Sequence, residues 1–283
     1  MRKGMSIAAL AATMLTGLPA AAPASAQAQT ATATPAKVTL TRLDCGTFKQ
    51  PRDVGGFSDA FAYSNPPLKL PFVASCYLIR HGERTMLWDA GFAAPSEQVA
   101  LPRTILQQLA ELGVDPAKVE FIGISHYHAD HTGQAGSFPN ATLLIGQGDW
   151  DALTAQPLSP GVDPKPLANW ISGGGKVEKV AVDKDVFGDG SVVILNLPGH
   201  TPGHHGLLVR LPRTGPVLLS GDVVHFQENY DHAGVPQFNT NRADSLVSID
   251  RFKDIATALK ATVIIQHDPR SLPKLPAFPK AAE

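Results

Sequence analysis

The sequence predicts a single α/β domain in which two β-sheets carry helices on their outer faces. Three observations predict it. Strand-like segments dominate the chain, one helical segment falls roughly midway with another near the C-terminus, and no internal repeat interrupts the pattern. With 283 residues, 43% of them hydrophobic, there is enough apolar material for one core of this size without a staple.

The chain opens on a segment with the layout of an export signal. Arg2 and Lys3 form a short positive region, Met5 to Leu18 is apolar or small, and Pro19 interrupts it. Ala24-Ser25-Ala26 then offers small residues for cleavage after Ala26. The apolar stretch is short and alanine-rich for a bilayer span. Residues 1–26 therefore read as a signal peptide, and the mature protein as periplasmic or secreted. Residues 27–36 are uncharged and of low complexity, a linker, and residues 37–283 carry the domain.

Val38 to Leu43 alternates as a strand. Phe72 to Arg80 and Arg84 to Trp88 flank His81-Gly82-Glu83 as a hairpin. Leu101, Ile105, Leu106, Leu109 and Leu112 recur at helical spacing, and Gly113 stops them. Short strands are expected at 119–124, 141–145, 177–182, 192–197, 206–211 and 217–219. Leu246, Ile249, Phe252, Ile255 and Leu259 share one face of a late helix over 245–259, and 262–265 closes as a strand. The only cysteines, Cys45 and Cys76, permit one disulfide and suit a pair of buried thiols equally well. Neither adjoins the histidines in sequence, so neither reads as a metal ligand.

Charge and hydropathy exclude whole classes. Lys and Arg number 24 against 25 acidic residues, a formal charge of −1, and no basic block occurs. Loss of Arg2 and Lys3 leaves the mature chain at −3, with 22 basic against 25 acidic residues. A nucleic-acid enzyme normally carries a basic footprint, so no nucleic-acid partner is expected. Beyond the N-terminus no run of 18 apolar residues exists, which excludes a multi-span membrane protein.

The chemistry concentrates in Ser125-His126-Tyr127-His128-Ala129-Asp130-His131-Thr132-Gly133, on what reads as a loop leaving the strand at 119–124. Four potential ligands in six residues are too dense for ordinary packing, and imidazole with carboxylate suits zinc. Alternation on an extended backbone lets His126 and His128 point the same way, while Asp130 and His131 face a second ion. Three further candidates stand at strand ends: His200 in Leu197-Pro198-Gly199-His200-Thr201-Pro202-Gly203-His204, Asp222 in Ser220-Gly221-Asp222, and His267 in Gln266-His267-Asp268. Any one of these alone would be a satisfied polar group; together they point to a metal site.

H-x-H-x-D-H, then G-H-T-P-G-H, then G-D, then a late histidine resembles the metallo-β-lactamase superfamily, over Val73 to His267. The resemblance implies an αββα sandwich with its site at the sheet edges and two Zn(2+) per chain. It assigns His126, His128 and His200 to one metal, Asp130, His131 and His267 to the other, and Asp222 to a bridge. Trp88-Asp89-Ala90-Gly91 resembles the family's earlier D-x-G element, with Asp89 orienting a ligand histidine, although a turn residue before Gly91 reads as well. His204 is implied as a supporting group rather than a ligand; His205 and His81, outside these motifs, read as ordinary polar residues. Two cations about 3.5–4 Å apart can lower the pKa of a shared water and polarise a carbonyl or phosphoryl oxygen.

Within that superfamily the stretch from Asp222 through Phe238-Asn239-Thr240 to Gln266-His267-Asp268-Pro269 looks like the N-acyl-homoserine lactone lactonases. These commonly carry a Tyr three residues past the bridging Asp, where this chain has His225. The expected activity is opening of a lactone ring, with Asp130 relaying a proton to the departing alkoxide and His225 donating a hydrogen bond to substrate oxygen; His225 as a mere loop cap is the plain alternative. Phe226, Tyr230 and Phe238 could line an acyl cleft or simply pack the core, and His232 falls on an expected loop over the site. A β-lactamase of the subclass without a cysteine ligand, a metal-dependent phosphotriesterase and a periplasmic zinc-binding protein are the competing readings. The expected partner is a small-molecule lactone, and a homodimer is compatible with the sequence.

Overall fold

The computed structural model describes residues 36–159 and 161–283. The expected signal peptide and nearly all of the linker lie outside the described residues.

Among the described residues, nine strands come first along the chain. They are β1 (Val38–Phe48), β2 (Arg52–Asp53), β3 (Lys69–Leu70), β4 (Val73–His81), β5 (Arg84–Trp88), β6 (Val99–Ala100), β7 (Phe121–Gly123), β8 (Thr142–Gly146) and β9 (Val177–Val180). Five more follow: β10 (Lys184–Asp185), β11 (Val192–Asn196), β12 (His205–Leu211), β13 (Gly215–Leu219) and β14 (Thr262–Ile264). The first sheet has the order β6-β1-β4-β5-β7-β8-β9 and the second β10-β11-β12-β13-β14, while β2 and β3 form a separate ribbon. Helices α1 (Ile105–Glu111), α2 (Ala129–Thr132), α3 (Gln147–Thr154), α4 (Ala168–Ile171), α5 (Gln227–His232) and α6 (Arg242–Leu259) complete the set.

Side-chain alternation sorts these elements into four layers. On β4, Cys76 and Leu78 pack with Ile105, Leu109, Leu153 and Trp170 of the helices, whereas Tyr77 and Ile79 face the other way. There they meet Leu207, Val209, Val217 and Leu219 of the second sheet. Leu208 and Leu218, on the opposite pleat, pack against Ile249 and Phe252 of α6. A strand buried on both faces favours apolar residues on both pleats, which is why Val73 to Ile79 reads as an apolar run broken only by the buried Ser75. The helix–sheet–sheet–helix sandwich expected from the sequence is therefore the fold.

Individual elements differ from expectation for identifiable reasons. The midway helix begins at Ile105, not Leu101, because Thr104 caps it and Gln107 returns the bond in a capping box. Its buried face also turns: Leu106 is exposed, while Gln108 is buried with its amide bonded both ways to the Asp44 backbone of β1. The strand before the histidine cluster is shorter than expected, Phe121–Gly123. The cluster is not wholly a loop, since Ala129–Thr132 forms the short helix α2. Helix α6 starts at Arg242 because Asn241 accepts the N–H groups of Ala243 and Asp244. Cys45 and Cys76 are joined as a disulfide. It lies under the Asp89-Ala90-Gly91 turn, where a Cβ on Gly91 (φ +57°) would collide with Cys45. The cysteines, distant from the histidines in sequence, thus support the turn that carries Asp89.

Candidate metal centre

The parallel pairs β5–β7 and β13–β14, and the antiparallel steps from β11 through β12 to β13, make the chain leave β5, β7, β11, β13 and β14 at a common edge. Asp89, His126, His200, Asp222 and His267 all follow those strand ends. Two clusters result. His126, His128, His200 and Asp222 form one, and Asp130, His131 and His267 the other.

Proton accounting shows what the clusters are for. His200 Nδ1 donates to Asn239 Oδ1 at 2.8 Å, His267 Nδ1 to the Val73 carbonyl at 2.8 Å, and His131 Nδ1 to Asp89 Oδ2 at 2.9 Å. In the neutral tautomer each of these rings therefore turns a bare Nε2 lone pair inward. His200 Nε2 lies 3.2 Å from His126 Nε2 and 3.0 Å from His128 Nδ1, which are 2.9 Å apart. His131 Nε2 and His267 Nε2 are 3.2 Å apart. Lone pairs packed this closely repel one another unless a cation lies between them. Ligand nitrogens about 2.0–2.1 Å from tetrahedral zinc would stand about 3.3 Å from one another, close to these separations.

Asp222 joins the two clusters. Its Oδ1 faces His267 Nε2 at 2.8 Å and His131 Nε2 at 3.2 Å, and its Oδ2 faces His200 Nε2 at 3.4 Å and His126 Nε2 at 3.6 Å. Oδ1 is buried without a hydrogen-bond partner, an orphan that a cation would satisfy. Asp130 Oδ2 stands 3.7 Å from His267 Nε2 and 3.9 Å from His131 Nε2, on the open side. The donor set fits two divalent metals of the zinc type, one on each side of Asp222. Burial pushes His126 and His200 well below the usual imidazole range, which keeps them neutral and able to ligate. Burial opposes the charged form of His131 as well, but Asp222, Asp89 and Asp130 override it and raise this imidazole. For Asp222 the burial penalty is likewise overridden, here by His267 and its neighbours, and the carboxyl stays well below its ordinary value.

Residues 70–267 match the metallo-beta-lactamase superfamily. The chain belongs to that superfamily. It is 32% identical over 187 residues to the N-acyl homoserine lactonase AttM of Azorhizobium caulinodans, covering 61% of this chain and 66% of that protein. The chain thus spans just under two thirds of that relative. A solved N-acyl homoserine lactone hydrolase, with the product N-hexanoyl-L-homoserine at its catalytic metal center, superposes with a TM-score of 0.73 at 23% identity, covering 88% of this chain and all of that one (100%). AidC, a dizinc quorum-quenching lactonase, superposes at 0.64 with 18% identity, covering 88% and 91%.

Around this metallo-beta-lactamase centre the supporting groups divide as the resemblance implied, with one addition. Asp89 binds His131 and also accepts the Ser125 N–H at 2.7 Å and the Gln266 amide at 2.8 Å. It holds this place in the left-handed region, at φ +58°. His204 is no ligand: Nδ1 donates to the Leu197 carbonyl and Nε2 accepts the Asp222 N–H at 2.8 Å, and burial holds its imidazole down to about 3. Asp149 was not singled out by sequence. Buried at the start of α3, it accepts from Tyr127 N–H (3.0 Å), Thr201 Oγ1 (2.9 Å) and Gly203 N–H (2.7 Å), so one carboxylate ties the His126–His128 loop to the His200 loop. A Cβ on Gly146 would run into the Gly203 backbone, so glycine lets α3 lie against that loop. No metal-like spacing marks Asp149, and only its place beside Gly146 and Gly148 hints at it.

A cleft of about 440 Å³ opens onto the centre, with His128, Asp130, Asp222 and His225 on its floor and Phe48, Phe57, Phe72 and Phe238 along its wall. His225 Nε2 points at Asp222 Oδ2 at 3.0 Å, its Nδ1 is buried without a partner, and the ring packs against Phe57 and Phe238. Of the three expected cleft aromatics only Phe238 lines it. Phe226 is buried behind Phe57 and Phe72, and Tyr230 packs on Phe252 of α6. His232 is not on a loop over the site; it ends α5 against Phe61. Phe48 ends β1, Phe72 directly precedes β4 and Phe57 lies in a turn, and nothing in the sequence marked any of the three as facing the centre. His205 is buried on β12, and His81 pairs with Asp189 at 2.7 Å, far in sequence from any ligand.

Proposed function

We propose that the chain is an exported dinuclear zinc hydrolase that opens the lactone ring of N-acyl-homoserine lactones. The observation that carries the reading is Asp222, which turns one oxygen to each ligand cluster beneath an aromatic cleft. The likeness to lactonases supports the substrate class. His126, His128 and His200 would hold one metal, Asp130, His131 and His267 the other. Bound there, the metals would supply an activated water and polarise the lactone carbonyl. Asp130, on the open side of the centre, takes up the proton released in attack and returns it to the departing alkoxide. His225, at the seam between floor and wall, donates an imidazole N–H to a substrate oxygen. The aromatic wall receives the acyl group.

The test is a pH-stat comparison of ring opening with penicillin and aryl phosphotriester hydrolysis at equal enzyme. Lactones should give the highest kcat/KM. A higher value for the β-lactam or the phosphotriester would overturn the lactonase assignment, and no turnover with full metal loading would favour a zinc-binding protein. Action outside the cytoplasm is part of the proposal, supported by the Cys45–Cys76 disulfide, since such bonds persist in oxidising compartments. N-terminal sequencing of periplasmic or secreted material should begin near Gln27; an intact Met1 on a cytoplasmic protein would reject it.

A further inference from the structure

Besides its four phenylalanine rings and the groups of the floor, the cleft is lined by Arg52, Asp53 and Gly56. Arg52, on the β2–β3 ribbon, lines the cleft beside Phe48, and its guanidinium stacks over the Phe48 ring with Cζ 3.8 Å from the centroid. Stacking uses the flat face of the guanidinium and leaves its N–H groups, which lie in the plane, directed outward. Among the described residues Arg52 is half-buried yet has no ion-pair or hydrogen-bond partner for that charge. The other arginines that stack on rings differ, for Arg84 is bound by Glu120 and Arg103 by Glu111. A second depression of about 300 Å³ shares Phe48 and Arg52 with the cleft and is otherwise lined by Lys49, Gln50, Glu97 and Gln98. Arg52 therefore stands where an apolar path from the metal centre passes into polar surroundings.

Resting on the lactonase reading, we propose that Arg52 is a specificity-determining residue that selects lactones whose acyl chain ends in a carboxylate. Phe57, Phe72, Phe238 and Phe48 cover the methylenes, and the Arg52 fork meets the terminal carboxylate at the far end of the wall, with two N–H donors for two oxygens. The Phe48 ring fixes the guanidinium plane, so little side-chain freedom remains to be lost on binding. Asp53 lines the same cleft, with its Oδ1 accepting the Gly55 N–H, and Glu97 lines the second depression; among the described residues neither is ion-paired with Arg52.

The experiment compares N-hexanoyl with N-adipoyl homoserine lactone on the metal-loaded enzyme and on Arg52→Met and Arg52→Lys, with ring-opened adipoyl- and hexanoyl-homoserine measured in parallel by calorimetry. The wild type should favour the adipoyl lactone about tenfold in kcat/KM, the size of one charge-assisted contact, and the preference should lie in KM rather than kcat. Arg52→Met keeps an apolar stem on Phe48 and should collapse the ratio towards one, while Arg52→Lys should restore part of it. No adipoyl preference in the wild type, or a ratio unmoved by Arg52→Met, overturns the proposal. If no lactone is opened, the lactonase reading fails by itself, and the calorimetric ratio still decides the role of Arg52.

Discussion

The floor of the cleft and its wall are built to different tolerances. The ligands on the floor follow strand ends or, for Asp130 and His131, sit on α2, and His131, His200 and His267 are fixed by a second bond to Asp89, Asn239 or a backbone carbonyl. The wall is mixed: Phe48 and Phe72 stand at the ends of β1 and β4, but Phe57 comes from a turn and Phe238 from the segment before α6, where it is 52% exposed and held by ring contacts with Phe57, His200 and His225. On the proposed lactonase reading, chemistry that needs sub-ångström placement is anchored in the two-sheet core, and acyl-chain discrimination falls in part to Phe57 and Phe238, on segments that can change without disturbing it.

The strongest way to break this contrast is to remove the one group both clusters share. Protein purified without chelator should hold about two equivalents of metal, and Asp222→Ala should lower that number and abolish turnover. One tightly held metal with full activity would show that the floor is not a two-metal site. The next effect belongs to the seam. His225→Ala should cost roughly 10–10³-fold in kcat, the range for one lost oxyanion donor, and His225→Tyr should restore part of it. A change in KM alone would place His225 with the wall.

The same contrast explains what was legible in the sequence. His126, His128, Asp130, His131, His200, Asp222 and His267 could be read because each follows a strand with a clear apolar period, and because ligand chemistry tolerates only a few residue types. The layers could be read from the runs on β4, β12 and β13. Helix α3 could not, since Gly148 and Asp149 are poor helix formers placed there to hold the His200 loop. Phe57 could not either, because it reaches the cleft from a turn rather than from a periodic element, and Phe72, at the head of a legible strand, gave no sign that its ring faces the centre. His232 was misplaced on a loop because no apolar stripe announces the six-residue helix α5.

Two smaller effects test how the floor is supported. Reducing the Cys45–Cys76 disulfide should lower stability by about 2–4 kcal/mol, or roughly 5–15 °C in Tm for a chain of this size. Because the bond underlies the turn carrying Asp89, metal retention should fall with it; unchanged retention would separate the turn from the centre. His204 gives the pH dependence. Burial holds its folded imidazole near 3, below its ordinary value of 6.5, so its contribution to stability is present above pH 6.5 and is lost as pH falls towards 3. In the chelated protein, Tm should therefore decline more steeply below pH 6.5 than in His204→Gln, which can still bond both Leu197 and Asp222. Equal slopes would remove His204 from the support of Asp222.

The smallest expected effect is the one that defines the wall. Phe238 contributes one face of the cleft and touches His200 and His225 only edge-on, with centroids 5.8 Å from each. Truncation to Phe238→Ala removes ring contact with an acyl chain but no hydrogen bond to any ligand. A partly exposed ring contact is worth about 0.5–1.5 kcal/mol, which corresponds to about a 2–10-fold rise in KM for a long-chain lactone. The loss should shrink as the acyl chain shortens, because a short chain does not reach the ring, and metal content should stay at that of the wild type. Steady-state kinetics over a chain-length series reads both trends. If Phe238→Ala instead lowered kcat equally for every chain length, or released metal, the wall would be part of the catalytic support and the division between floor and wall would not hold.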